Sequence, residues 1–265
     1  MITNILRDKP TRLFIILSGI LVANALIAEI IGVKIFSLEA TFGFQPVNMM
    51  ILGDPYSFNM TAGVLLWPVV FIMTDIINEY YGVKGVRFLS FLAAGLILFA
   101  FIIFFLAIHL TPAGFFVTSK VNSGVPDMDK AYGQILGQGS LIIIGSLTAF
   151  LVGQLVDVFT FHKIKKATGE KKIWLRATGS TLISQLIDSF VVLFVAFHLG
   201  PAIYNPDGNP VWPIGQVLSV CLINYIYKFA AAIVLTPVIY WVHGILERYL
   251  GHETAAEMKR TAMNR

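Results

Sequence analysis

Between Arg87 and His109 the chain runs for 21 residues, FLSFLAAGLILFAFIIFFLAI, without one ionisable side chain. At 1.5 Å per residue, a helix of that length spans about 30 Å, the thickness of a bilayer's hydrocarbon core. A helix that is apolar all round has no polar face to offer water. Five further stretches are long and apolar enough to do the same, which places helices at 12–34, 60–81, 86–110, 138–161, 174–199 and 214–243. Composition agrees: 13% of residues are charged, where a soluble domain carries about 25%. The reading is an all-α polytopic membrane protein of six transmembrane helices, one domain over residues 1–265. The lipid bilayer is its solvent.

The basic residues set the orientation. The N-terminus, the 81–87 turn, the 162–176 linker and the C-terminal tail hold 15 Lys and Arg, the opposite side holds 3, and Lys228 lies inside the sixth segment. Cytoplasmic loops collect such residues, so both termini are expected in the cytoplasm. The net charge of +4 then reports topology and not nucleic acid. Basic residues precede the first apolar run, but no small-residue cleavage site follows, so it reads as an uncleaved span. Two long outer loops, 35–59 and 111–137, have room for short surface helices or plain connections. The tail GHETAAEMKRTAMNR reads as frayed or lying on the membrane surface.

Polar groups inside the apolar segments carry the functional signal, because a charge at the bilayer centre costs at least about 2.5–3.5 kcal/mol. The fifth segment places Thr181, Ser184, Gln185 and Asp188 on one stripe, with Thr178 one turn before it. The sixth places Asn224, Tyr227 and Lys228 at i, i+3, i+4. Lys228 is too deep to snorkel, and an ion pair with Asp188 is expected. The second segment repeats the spacing with Asp75, Asn78 and Glu79, and Trp67 lies two turns earlier. Pro68 is expected to kink that helix. Glu79 has a headgroup position as its other reading. The fourth segment holds Gln154 and Asp157, for which a salt bridge to Lys163 or Lys166 is the competing account. The first contributes Asn24, with Glu29 nearer the outer end. The third is read as lipid-facing scaffold.

Several chemistries are excluded. The chain has no phosphate-binding GxxxxGK[ST] motif, so it carries no ATPase of its own. One cysteine, Cys221, allows neither a disulfide nor a thiolate metal cage. No HExxH motif and no GxSxG elbow is present. No catalytic residue, metal site or cofactor is expected, and the chain reads as a non-enzyme. TDIINE (74–79) and SQLIDS (184–189) hint at two inverted halves. The closer echo, GQLVDVF (153–159) against SQLIDSF (184–190), falls on adjacent segments of opposite direction and so reads as two walls of one cavity.

TDIINEYYG, GQLVDVFTFHKIKK, WLRATGSTLISQLIDS and NYIYK together resemble, in order and spacing, the bacterial six-helix vitamin uptake transporter family, understood as queuosine precursor transporters. The resemblance covers about 60–245, with Asn24 a further match. It implies a multi-pass protein of the bacterial inner membrane. The implied activity is uptake of 7-cyano-7-deazaguanine (preQ0) and 7-aminomethyl-7-deazaguanine (preQ1) for tRNA queuosine modification. Another small heterocycle, such as a vitamin, is the alternative cargo. The candidate binding residues, taken from the polar faces above, are Asn24, Trp67, Asp75, Asn78, Glu79, Gln154, Asp157, Ser184, Gln185, Asp188, Asn224, Tyr227 and Lys228. A second copy of the chain and an external ATPase module are the protein partners left open.

Overall fold

The computed structural model describes residues 7–137, 140–168, 173–203 and 210–264. Five helices among them are long and apolar enough to cross a membrane. Helix α1 (Lys9–Ile31) starts at an Asp8 cap, whose carboxylate accepts the Thr11 N–H at 3.0 Å. Leu13, Leu17, Leu21, Ala25 and Ala28 make its buried stripe. The stripe packs on α3 (Trp67–Ile108), which is 42 residues long.

A straight helix of that length would run about 63 Å, twice the hydrocarbon thickness. It is not straight. Gly82 has φ 72° and ψ −173°, a region open essentially to glycine alone. A Cβ on Gly85 would sit 3.6 Å from Ile77 Cγ2. Eight residues of continuous helix would separate these positions by about 12 Å, so the chain doubles back sharply at Gly82. A Cβ on Gly82 itself would meet the Ala262 carbonyl at 3.1 Å. Gly82→Ala is therefore expected to cost about 1–3 kcal/mol in a detergent melt. Gly95→Ala is the control, because a Cβ there meets nothing within 4 Å. Equal melting temperatures for the two variants would contradict this account of the turn.

Pro68 does not kink anything. The α-helix begins at Trp67, so Pro68 stands in its first turn, where a missing N–H costs no hydrogen bond. Residues 62–65, expected within the same helix, form a separate 3-10 turn. On the 83–108 arm, Phe88, Phe91, Phe99 and Phe105 are each about 60% exposed. So large an exposed apolar face suits lipid and not water.

The loop expected at 35–59 contains two small antiparallel ribbons. β1 (Ile35–Ser37) pairs with β4 (Asn59–Thr61), and β2 (Met49–Ile51) pairs with β3 (Asp54–Tyr56). Leu52 and Gly53 both take positive φ and close the second hairpin tightly. A one-turn helix, α2 (Leu38–Thr41), carries Glu39 into this cap. Its carboxylate accepts N–H groups from Phe58 at 2.9 Å and Val47 at 3.5 Å, and the Ser37 hydroxyl at 3.2 Å. Burial works against that charge, but these hydrogen bonds outweigh it and hold the Glu39 carboxyl below its ordinary value. The loop expected at 111–137 holds short helices, α4 (Gly114–Val117) and α5 (Met128–Leu136).

Helices α6 (Ser140–Thr168) and α7 (Ile173–Leu193) pack side by side and antiparallel. Beyond α7 the chain widens into a π-helical turn (194–199) and a short α8 (Gly200–Ile203). Pro201 has no N–H to offer the Phe197 carbonyl. The Trp212 N–H donates to that carbonyl instead, at 2.9 Å.

Helix α9 (Ile214–Leu250) completes the bundle. The tail is neither frayed nor free: it forms α10 (His252–Asn264), docked on α3. Ala255 and Ala262 are buried there. Lys259 pairs with Glu247 and lies 5.3 Å from the centre of the Tyr80 ring.

Candidate functional site

The polar centre is built on the α6–α7 pair, whose register can be read contact by contact. Gly145 lies against Ala196, Gly153 against Asp188, Asp157 against Ser184, and Gly179 against Ile164. Residue numbers climb on one helix as they fall on the other. The echo in the sequence gains a geometric meaning. In Gly153-Gln-Leu-Val-Asp157 and Ser184-Gln-Leu-Ile-Asp188, the first residue of each motif meets the fifth of the other. The two segments are related by a local two-fold. A glycine or serine at the first position leaves room for the opposing carboxyl. A Cβ on Gly153 would already lie 3.3 Å from Asp188 Cβ.

The two aspartates have different partners. Asp188 accepts from Lys228 Nζ at 2.6 Å, so the expected intramembrane ion pair is present. Asp157 accepts from Ser184 Oγ at 3.2 Å and also faces the Ser180 hydroxyl. It does not pair with Lys163, which lies over the Phe159 ring. In register, Asp188 stands four residues from Asp157, about 6 Å or one turn along the bundle axis.

Helix α3 supplies the third wall. Thr74 donates to Gln154 Oε1 at 3.3 Å, which fixes its height against α6. Asp75 and Asn78, one turn apart, are 2% and 0% exposed. Both polar atoms of the Asn78 side chain lack a hydrogen-bond partner among the described residues, as do Gln185 Oε1 and Ser189 Oγ. Buried polar groups are almost always satisfied, so three such side chains in one bundle mark an unusual interior.

Glu79 is not solvated. It is 1% exposed and pairs with Lys165, also 1% exposed, at 3.2 Å. The same ammonium donates to the Glu79 carbonyl at 3.2 Å.

Lys165 is the residue the sequence reading overlooked. It sits in the run HKIKK and passes for a surface charge. The signal was its phase: Gln154, Asp157, Phe161 and Lys165 follow i, i+3, i+7, i+11, a single helical face. Ser146 and Glu29 also join across helices, at 2.6 Å.

Other predicted residues lie at the margin. Trp67 packs on Phe150 with ring centres 6.1 Å apart. Asn224 and Tyr227 are half-buried on α9, within one turn of Lys228. Asn24 directs its amide to the Ile20 carbonyl of its own helix, at 2.8 Å. The side chains of Thr178 and Thr181 lie outside the described residues. No group of three or more His, Cys, Asp or Glu able to hold a metal occurs among the described residues.

Residues 61–242 match the protein family described as "Putative vitamin uptake transporter". A "Probable queuosine precursor transporter" of Bacillus subtilis (strain 168) is 30% identical over 203 residues, covering 75% of this chain and 80% of the relative. One of the same name from Haemophilus influenzae is 25% identical, covering 69% and 67%. The "Queuosine precursor transporter" of Escherichia coli (strain K12) is 24% identical, covering 70% and 73%. No solved structure is significantly similar to the chain. Apolar helices packed round a charged centre, together with these matches, make this a multi-pass membrane protein that belongs to the vitamin uptake transporter family, among relatives that bear the name queuosine precursor transporter.

Proposed function

We propose that the chain is an inner-membrane uptake transporter for preQ0 and preQ1, crossing the bilayer six times as one domain with both termini in the cytoplasm. The break at Gly82 supports the sixth crossing, since it divides 42 residues into two arms. The orientation is supported by the basic residues that gather at one end. Lys9 and Arg12 both lie over the Tyr249 ring, and the Tyr81 hydroxyl donates to the Pro10 carbonyl at 2.7 Å.

The observation that carries the transport reading is the buried polar centre, where α3, α6 and α7, bearing Asp75, Asp157 and Asp188, pack together within a lipid-facing shell. A deazaguanine offers N1–H and a 2-amino group side by side, which one carboxylate accepts in bidentate fashion. Asp188 is committed elsewhere: Lys228 holds Oδ2, and Oδ1 lies against Gly153. Asp75, buried on α3 one turn from Asn78, is assigned to the guanine edge, and Asn78, whose amide has no partner among the described residues, to O6. Trp67 and Phe150 offer the ring an aromatic wall. Lys228 fixes the charge of Asp188 and with it the shape of the site.

The test uses cells unable to make preQ0, supplied with labelled preQ1. Queuosine is expected in their tRNA only when this chain is expressed, and Asp75→Asn is expected to remove it. No gain of queuosine on expression, at verified membrane levels, would reject the assignment of cargo. Uptake of an unrelated vitamin instead would select the alternative heterocycle.

A further inference from the structure

We infer that Asp157 is a proton-carrying site and that transport is coupled to a proton through it. The inference rests on the transport reading above, and it separates the two aspartates that the sequence writes as equals. The local two-fold gives Asp157 and Asp188 the same backbone setting and the same kind of neighbour on the opposing helix. Their partners break the symmetry. Asp188 has the Lys228 ammonium at 2.6 Å. Asp157, 6% exposed, faces the hydroxyls of Ser180 and Ser184.

A hydroxyl can donate to a carboxylate or accept from a carboxylic acid, whereas an ammonium can only donate. A protonated Asp157 can thus give its O–H to a neighbouring hydroxyl, whereas a protonated Asp188 could accept from Lys228 but not donate to it. A residue that must gain and lose a proton in a dry interior needs that property.

The charged groups around Asp157 do not compensate it. From α7 the nearest is Asp188, one turn away. From α3 come Asp75 and Glu79. On α6 itself lie His162 and Lys165, and Lys165 is turned onto Glu79. The interior lysines Lys165 and Lys228 each meet another carboxylate, so an ionised Asp157 would add an uncompensated charge.

The step is simple. Asp157 binds a proton from the outer side as substrate enters. Its carboxyl O–H then breaks on the cytoplasmic side, and the proton passes to water as substrate leaves. One proton moves inward per substrate.

Purified protein in liposomes tests this with preQ0, which has no ammonium of its own to confuse the charge balance. With the membrane potential clamped, the wild type is expected to accumulate preQ0 about tenfold per unit of pH gradient, the ratio that one coupled proton gives. Asp157→Asn is expected to lose that response whatever its absolute rate, and Asp157→Glu to regain it. Accumulation by Asp157→Asn that still follows the gradient would overturn the inference, as would a wild type indifferent to the gradient.

A second measurement does not depend on the cargo. The infrared carbonyl band of protonated carboxyls should titrate with pH in the wild type, and the wild-type spectrum minus that of monodisperse Asp157→Asn should retain a titrating component that belongs to Asp157. A difference spectrum with no titrating component overturns the inference. Failure of preQ0 transport with the band in place would count only against the assignment of cargo.

Discussion

Lys228→Met is expected to lower uptake by about a hundredfold or more. Asp188 sits about midway along its span, and Lys228 is its charged partner at 2.6 Å, with the two side chains 16% and 14% exposed. Removing one partner of a buried pair leaves the other charge stranded, at a cost of about 3–5 kcal/mol. The bundle can avoid part of that cost by protonating Asp188 or by moving α7 relative to α9. Either response alters the site that the pair shapes. Each 1.4 kcal/mol of lost occupancy is about a tenfold loss in rate.

The double variant Lys228→Met/Asp188→Asn separates structure from transport. It removes both charges, so thermal stability is expected to return towards the wild type while uptake stays low. Uptake that returned with stability would reduce the pair to a packing device. Normal uptake by Lys228→Met alone would remove it from the mechanism.

The second large effect is on stability. Lys165 and Glu79 are both 1% exposed, a deeper burial than that of the Asp188 pair. Lys165 also reaches the Glu79 carbonyl, so it joins α6 to the end of the α3 arm just before Gly82. Lys165→Met is expected to destabilise the bundle by about 3–5 kcal/mol, a fall in melting temperature of roughly 10 °C. Adding Glu79→Gln should recover most of the loss, because a neutral amide no longer needs the ammonium. If Lys165→Met melts like the wild type, the pair is not holding α6 to α3. The α10 helix should loosen with it, since Lys259 lies over Tyr80, the residue next to Glu79.

Much of this was legible beforehand. Hydropathy marked the crossings, and polar stripes at i, i+3, i+4 marked the faces that turn inward. Asp188 with Lys228 could be expected because a lone charge at that depth needs a partner. The failures have physical reasons. Glu79 was left between a binding role and a solvated headgroup position because helix phase gives a residue's direction and not what lies opposite. Lys165 was hidden because a basic run near a helix end normally reaches solvent, and only burial by α3 showed otherwise. The ribbons of the 35–61 cap were missed because each strand is three residues long, too short for an alternating pattern to register. The tail was underestimated because its few small apolar residues matter only once α3 lies beneath them, as Gly82 lies beneath Ala262.

The sequence by itself determined that this chain lives in a membrane, which faces of its helices are polar, and that Asp75, Asp157 and Asp188 lie on those faces with Lys228. These follow from local periodicity and from the cost of burying charge, which act along a single helix. The tertiary structure decided the pairing. The same five-residue phrase occurs twice, and nothing within either copy says which aspartate receives the lysine. The antiparallel register of α6 and α7 sets each carboxyl against the small residue of the other. The position of α9 then brings Lys228 to Asp188 and leaves Asp157 between two hydroxyls.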